Sequence, residues 1–452
     1  MLITKDKNFY KSIFRLAIPI ALQNLVTFSV ALTDTLMVGR LGDLALSGVY
    51  MGNQVQMLLQ VFCAGVEGAI LALCSQHFGK RDSDGVKKAS SIGTLFLLSV
   101  GTLLTILCIS APRAVVSLFA KNVEIIDTGT SYLGILAFSF IFFCISQSLV
   151  ATMRSVECTK VGFFASLISL LVNALLDYAL IFGRLGFPRL EIRGAAIATV
   201  LARASECLIM IIYVFFIDKK LKIRVRNFLK LDIGHTVNFM RHASPIILGQ
   251  IIWGINILFC SAVIGRLGSE SAVTALSVAN TLNNLAYVVT NGISASLGII
   301  IGKLVGEDKK NTVKEYSKTA QILFLVFGVL TMIVIQLTKN PFISFYGISQ
   351  DAAKESARFI NVLSLTALGT CYQSACLFGL LKSGGDMKFV FWVEACSVFL
   401  AVLPLSLITV KLGFAPSIVF LALKCDQFLK CIPAAIRVNR FRWMKNIAAS
   451  NQ

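Results

Sequence analysis

Asp34 and Asp177 are carboxylates set inside long apolar runs. A charge at the bilayer centre costs about 2.5–3.5 kcal/mol on insertion scales, so such residues mark function by default. Asn173, four residues before Asp177, shares that residue's helix face. Asp34 lies five residues before Gly39, and Asp177 six before Gly183. At about 1.5 Å of rise per residue, both acids sit roughly 8–9 Å below the ends of their helices. Thr199, on the following helix of opposite direction, reaches a depth of about 12 Å. Two carboxylates, an amide oxygen and a hydroxyl then meet at similar depth, a hard-oxygen set suited to H+ or Na+. Asn173 and Thr199 could equally join helices by hydrogen bonds. The two acids are too costly to keep as glue.

The other polar groups inside the apolar runs carry less. Arg203 and Glu206, three apart, are placed to pair with each other, and Lys424 to snorkel toward the tail. Glu67, Glu394 and Asp426 are further intramembrane acids. Gln54 on the second run, with Asn280 and Asn284 on one face of the eighth, could line a cavity or pack helices together. No H-E-x-x-H or G-x-S-x-G pattern occurs and no histidine lies mid-run, which speaks against an enzyme. The twelve cysteines sit mostly in apolar segments without a C-x-x-C pair, so they read as small hydrophobes and not as a disulfide or metal framework. No cofactor is expected beyond the coupling ion.

The elements that hold these groups follow from the apolar pattern. Hydrophobic residues make up 56% of the 452 and charged residues 14%, against about 25% charge in soluble proteins. The chain is therefore expected to be integral to a membrane. Twelve spans are predicted, near 13–38, 46–78, 90–111, 127–153, 160–183, 193–217, 243–264, 272–304, 316–337, 355–381, 388–410 and 415–436. They are too long for barrel strands, so the fold is all-α. Ala17 onward reads as a retained first span and not as a signal peptide.

The first span returns. Ala17–Gly42 recurs 226 positions later as Ala243–Gly268, with Pro19 and the run Gly39-Arg40-Leu41-Gly42 repeated. Gly79–Ser90 likewise matches Gly306–Ser317 at an offset of 227. The chain thus divides into a six-helix lobe over 1–217, a linker over 218–242 and a second lobe over 243–452. Six is even, so the repeats are parallel, with their axis along the membrane normal. Asp34 corresponds to Cys260 and Asp177 to Pro404, which places the cation set in the first lobe only.

The formal charge of +19 comes from 42 bases against 23 acids. Forty of these bases lie in short loops, 29 on one side and 11 on the other, a topogenic pattern that argues against nucleic acid as partner. It predicts a multi-pass cell-membrane protein, acting as a monomer, with both termini cytoplasmic.

Several motifs now combine: PI early in the first span, TDTLMVGRLG at its end, and QHFGKRD closing the second. NALLDYALIFGRLGFP followed by RGAAIAT, and later KSGGDMKF, complete the set. Together they resemble the multidrug and toxic compound extrusion (MATE) family over the whole chain. The resemblance implies two lobes around a V-shaped central cleft, with alternating access driven by inward H+ or Na+. It also implies export of amphipathic, often cationic, small molecules. One branch of the family holds its cation on the first, fifth and sixth helices. That pattern falls here on Asp34, Asn173, Asp177 and Thr199, with Pro19 at the first-helix bend. Another branch uses a glutamate near the position of Trp253 and an aspartate on the tenth helix, where this chain has no acid beyond Arg358. Trp253 joins Gln54, Asn280 and Asn284 as a cleft residue. The alternative is a lipid-linked oligosaccharide flippase of the same superfamily, which would favour bases in the cleft. Arg203 is the only deep base of the first lobe.

Overall fold

A computed structural model describes residues 3–229 and 233–448. Lys230 of the basic linker and the outermost residues of the chain lie outside these. Among the described residues every regular element is helical. The helices α1 (Lys7–Gly39), α2 (Asp43–Gly79), α3 (Ser83–Ser110) and the short α4 (Pro112–Ser117) come first. They lead into α5 (Val123–Leu136), α6 (Phe138–Ser155), α7 (Thr159–Phe182) and α8 (Glu191–Ile212). After α9 (Val225–Leu229) follow α10 (Ile233–Arg266), α11 (Glu270–Gly306), α12 (Lys310–Phe345) and α13 (Gln350–Gln373). The last are α14 (Met387–Cys396), α15 (Leu403–Lys411), α16 (Pro416–Leu423), α17 (Asp426–Leu429) and α18 (Cys431–Asn439). Wide π turns cover Tyr213–Ile217, Ser374–Lys382 and Ser397–Val402.

Eleven of these helical segments are long and apolar enough to cross a bilayer. Their apolar side chains are exposed in a way water would not tolerate: Leu171 by 63% and Leu337 by 74%. A lipid environment removes that cost. α2 and α11, at 37 residues each, are about 55 Å long and exceed a hydrocarbon core of roughly 30 Å. They must tilt or project beyond it.

The expected twelfth span is not one helix. It is divided among α16, α17 and α18, with turns at Lys424, Cys425 and Lys430. Lys430, one of the 29 bases expected on the cytoplasmic side, is buried between Glu394 at 2.8 Å and Asp426 at 2.7 Å. Lys424 stands over the Phe420 ring, 5.7 Å from its centre. The fourth span is also interrupted, at Ala137, whose carbonyl accepts a 2.9 Å hydrogen bond from the Thr105 hydroxyl. Residues 233–242, read as linker, already belong to α10.

By packing, the chain forms two compact units. One comprises Leu22–Cys74 and Arg81–Ala243; the other comprises Met1–Ala21, Ser75–Lys80 and Ser244–Gln452. The first is the amino unit and the second the carboxy unit. The division does not follow the repeat boundary, because the starts of α1 and the end of α2 pack into the carboxy unit. The repeat partners Gly79 and Gly306 explain the second case. A Cβ on Gly79 would overlap the Lys303 carbonyl, and one on Gly306 the Gln76 carbonyl. α2 and α11 cross there backbone against backbone.

The KSGGDMKF segment holds the tail over the same crossing. Gln76 donates to the Ser383 carbonyl at 2.9 Å and accepts from the Ile447 amide at 2.9 Å. Gly384 leaves room for the buried Trp443 ring, and Asp386 binds Arg437 at 2.7 Å and Lys445 at 2.6 Å.

Candidate functional site

The amino unit brings Asp34, Asn173, Asp177 and Thr199 together. α7 and α8 pack along their length, made possible by small residues on α8. Ala195, Ala196, Ala198 and Ala202 are buried there, and a Cβ on Gly194 would press on the Leu180 carbonyl. Asn173 and Asp177 are fully buried on α7, and Thr199 is buried on α8. Asp34, half-buried on α1, faces the side chains of Asp177 and Asn173. The i to i+4 spacing that aligns Asn173 with Asp177 thus points both at α1.

Two further residues belong to this cluster. Tyr132 of α5, 2% exposed, faces Asp34, Asp177 and Thr199. Its hydroxyl donates to Asn53 Oδ1 of α2 at 3.1 Å. Neither was singled out in the sequence. The available signal was a lone tyrosine in the apolar GTSYLGIL run, since buried tyrosine hydroxyls seek a partner.

The hydrogen bonding is incomplete in one place. Both oxygens of Asp177, Oδ1 of Asp34 and both amide atoms of Asn173 are buried without a hydrogen-bond partner. A buried polar atom left unmatched costs about 1–3 kcal/mol, so five in one cluster is a large outlay. Two facing carboxylates offer only acceptors to each other. A proton on either supplies the missing donor, and a small cation between them would neutralise both. The Thr199 hydroxyl donates to the Ala195 carbonyl at 3.0 Å, which leaves its lone pairs for such a cation. Among the described residues no group of three or more His, Cys, Asp or Glu is placed to hold a metal ion.

Arg203 does not enter the cluster as a free base. It pairs with Glu206 at 3.0 Å, as the spacing predicts, and lies over the Phe143 ring. The second Glu206 oxygen accepts from Ser166 at 2.8 Å, Ser166 from Gln23 at 3.1 Å, and Gln23 from Arg154 at 2.6 Å. This chain of polar contacts ties α1 to α6, α7 and α8 just beyond Pro19. Pro19 itself lies within the continuous helix α1.

The four residues expected to contact substrate are divided between the two units. Gln54 is half-buried on α2 in the amino unit. Trp253, Asn280 and Asn284 belong to the carboxy unit, where Asn284 is exposed and Trp253 lines a pocket of that unit.

A family model described as MatE matches residues 19–179 and 245–408, most of both repeats. The chain belongs to the MatE family. Relatives of this MatE protein include a probable multidrug resistance protein NorM of Thermotoga maritima, 23% identical, with 89% of this chain and 86% of that protein aligned. Another is the uncharacterized transporter YisQ of Bacillus subtilis, 21% identical over 94% of this chain and 93% of that one. Among solved structures, a mutant of the Vibrio cholerae MATE transporter VcmN superposes with a TM-score of 0.88 at 16% identity. That match covers 97% of this chain and 98% of the other. An outward-facing multidrug resistance MATE transporter of the MOP superfamily gives 0.86 at 19% identity, over 97% and 99%. The fold is thus the two-lobed all-α fold of these transporters, and this MatE protein is a multi-pass membrane protein.

Proposed function

We propose that this MatE protein exports amphipathic organic compounds, cationic ones included, by antiport against H+ or Na+. The observation that carries the coupling is the cluster of five unpartnered polar atoms on Asp34, Asn173 and Asp177. The multidrug resistance names of its relatives support the substrate class. Unloaded, the two aspartates place two negative charges close together in a low-dielectric site. Loading with one cation relieves that repulsion and draws α1 toward α7. A second conformation that separates the acids binds the cation less well. Such a difference is what lets an ion gradient drive a conformational equilibrium, since equal affinity shifts nothing. α1 is suited to transmit it, because the compact units part at Ala21 and Leu22, just beyond Pro19. In the flippase alternative bases would line the cleft, yet Arg203 is held by Glu206.

The reading is tested in proteoliposomes with pH and Na+ gradients imposed separately. Ethidium is expected to move against at least one of them. No movement with either would refute the antiporter.

The same proposal places the protein in the cell membrane as a monomer with both termini cytoplasmic. In a cysteine-free background, a cysteine at position 40 should react with an impermeant maleimide in intact cells. One at position 310 should react only after lysis. The reverse pattern would overturn the orientation.

A further inference from the structure

The carboxy unit holds a second buried charge cluster, which the coupling reading does not use. Glu394, Asp426 and Lys430 are 5%, 1% and 2% exposed. Lys430 bonds Glu394 at 2.8 Å and Asp426 at 2.7 Å, so one base is shared between two acids. Buried ion clusters are tolerated when charges balance, and this one retains a negative charge. Asp426 Oδ2 also accepts from Gln427 at 2.9 Å, whereas Oδ1 is buried without any partner. Among the described residues Lys424 makes no ion pair with the three, standing instead over Phe420.

Glu394 also lines a pocket together with Trp253, Phe378, Phe391, Gln250 and Lys382, whose ammonium stands over the Phe378 ring. Aromatic faces attract cations, and a desolvated carboxylate strengthens that preference. The surrounding backbone is irregular in three places. The π turn Ser374–Lys382 carries Phe378, the π turn Ser397–Val402 follows Glu394, and the twelfth segment breaks beside Asp426. Helix breaks at membrane depth occur where backbone is buried in protein or lines a cavity, and in transporters they mark binding sites.

We propose that this pocket binds the cationic head of an amphipathic organic ligand against Glu394, with Lys430 passing from Glu394 to Asp426 as it does so. The exchange balances. The ligand supplies the positive charge that the triad lacks, and Lys430, already bonded to Asp426 Oδ2, is left to that carboxylate alone. The apolar body of the ligand lies against Trp253, which is 46% exposed and needs no refolding to accept it. This inference rests on the exporter reading for its ligand class, but on separate residues from the coupling cluster.

The test uses the full-length protein in detergent, titrated with ethidium and followed by fluorescence anisotropy. Glu394→Gln, Asp426→Asn and Trp253→Ala are each expected to weaken ethidium binding at least tenfold. Binding of a neutral apolar dye, Nile red, should change by less than twofold in Glu394→Gln and Asp426→Asn, which alter charge and not the apolar wall. Trp253→Ala, at an exposed position, keeps the test valid where a triad variant fails to fold. Ethidium affinity within twofold of wild type in Trp253→Ala and in every folded triad variant would overturn the site. Gradient-driven ethidium transport by the wild-type protein, measured in parallel, separates that failure from failure of the exporter reading.

Discussion

Asp34→Asn and Asp177→Asn are each expected to abolish gradient-driven transport of a cationic dye in everted vesicles, with folding and membrane insertion intact. Either amide keeps the shape of the side chain while removing a charge that the bilayer disfavours, so insertion should not suffer. Transport should suffer fully, because one remaining carboxylate no longer creates the repulsion that cation loading relieves. At least a tenfold loss of rate is expected, about 1.4 kcal/mol of lost coupling. Dye binding should persist within about threefold, since the aromatic pocket lies in the carboxy unit. Thr199→Ala should be milder. Its hydroxyl already donates within α8, and only an acceptor is lost. Full gradient-driven transport in both aspartate variants would show that the amino-unit acids are structural.

Gly306→Val is the second large effect. A Cβ at Gly306 overlaps the Gln76 carbonyl, a backbone atom that no side-chain rotation can move aside. The α2–α11 crossing must open to accommodate it. Overpacking of this kind costs roughly 1–3 kcal/mol. It would also disturb Gln76, which holds the tail through Ser383 and Ile447. Lower thermal stability in detergent and faster proteolysis of the tail are the expected readouts. Gly134→Val is the control, with open space around its Cβ position. Equal stability of the Gly306 and Gly134 variants would contradict the close crossing.

The duplication and most spans are legible in sequence because lipid leaves the backbone little choice. A run that cannot bond water must be helical, and its length is set by the bilayer. The depth of Asp34, Asn173, Asp177 and Thr199 follows from helical rise alone, so their meeting could be read from spacing. The remainder depends on distant partners. Lys430 looks like a tail base until Glu394, 36 residues away, is seen to bind it. The Ala137 carbonyl, between α5 and α6, accepts from a hydroxyl 32 residues earlier, at Thr105. Tyr132 resembles any lipid-facing aromatic until α5 turns it toward Asp34. The glycines of the α2–α11 crossing recur in the repeat, yet recurrence alone does not say that two backbones touch.

The central claim, that the Asp34–Asp177 pair carries the coupling cation, is tested most directly by cation release in detergent, where no gradient or vesicle intervenes. Ethidium is added to the wild-type protein and to the Asp34→Asn/Asp177→Asn double variant in weakly buffered solution. A pH indicator and a Na+ electrode record what leaves. The account predicts release of H+ or Na+ from the wild-type protein on ethidium binding, and none from the double variant at matched occupancy. Equal release from both proteins would contradict it.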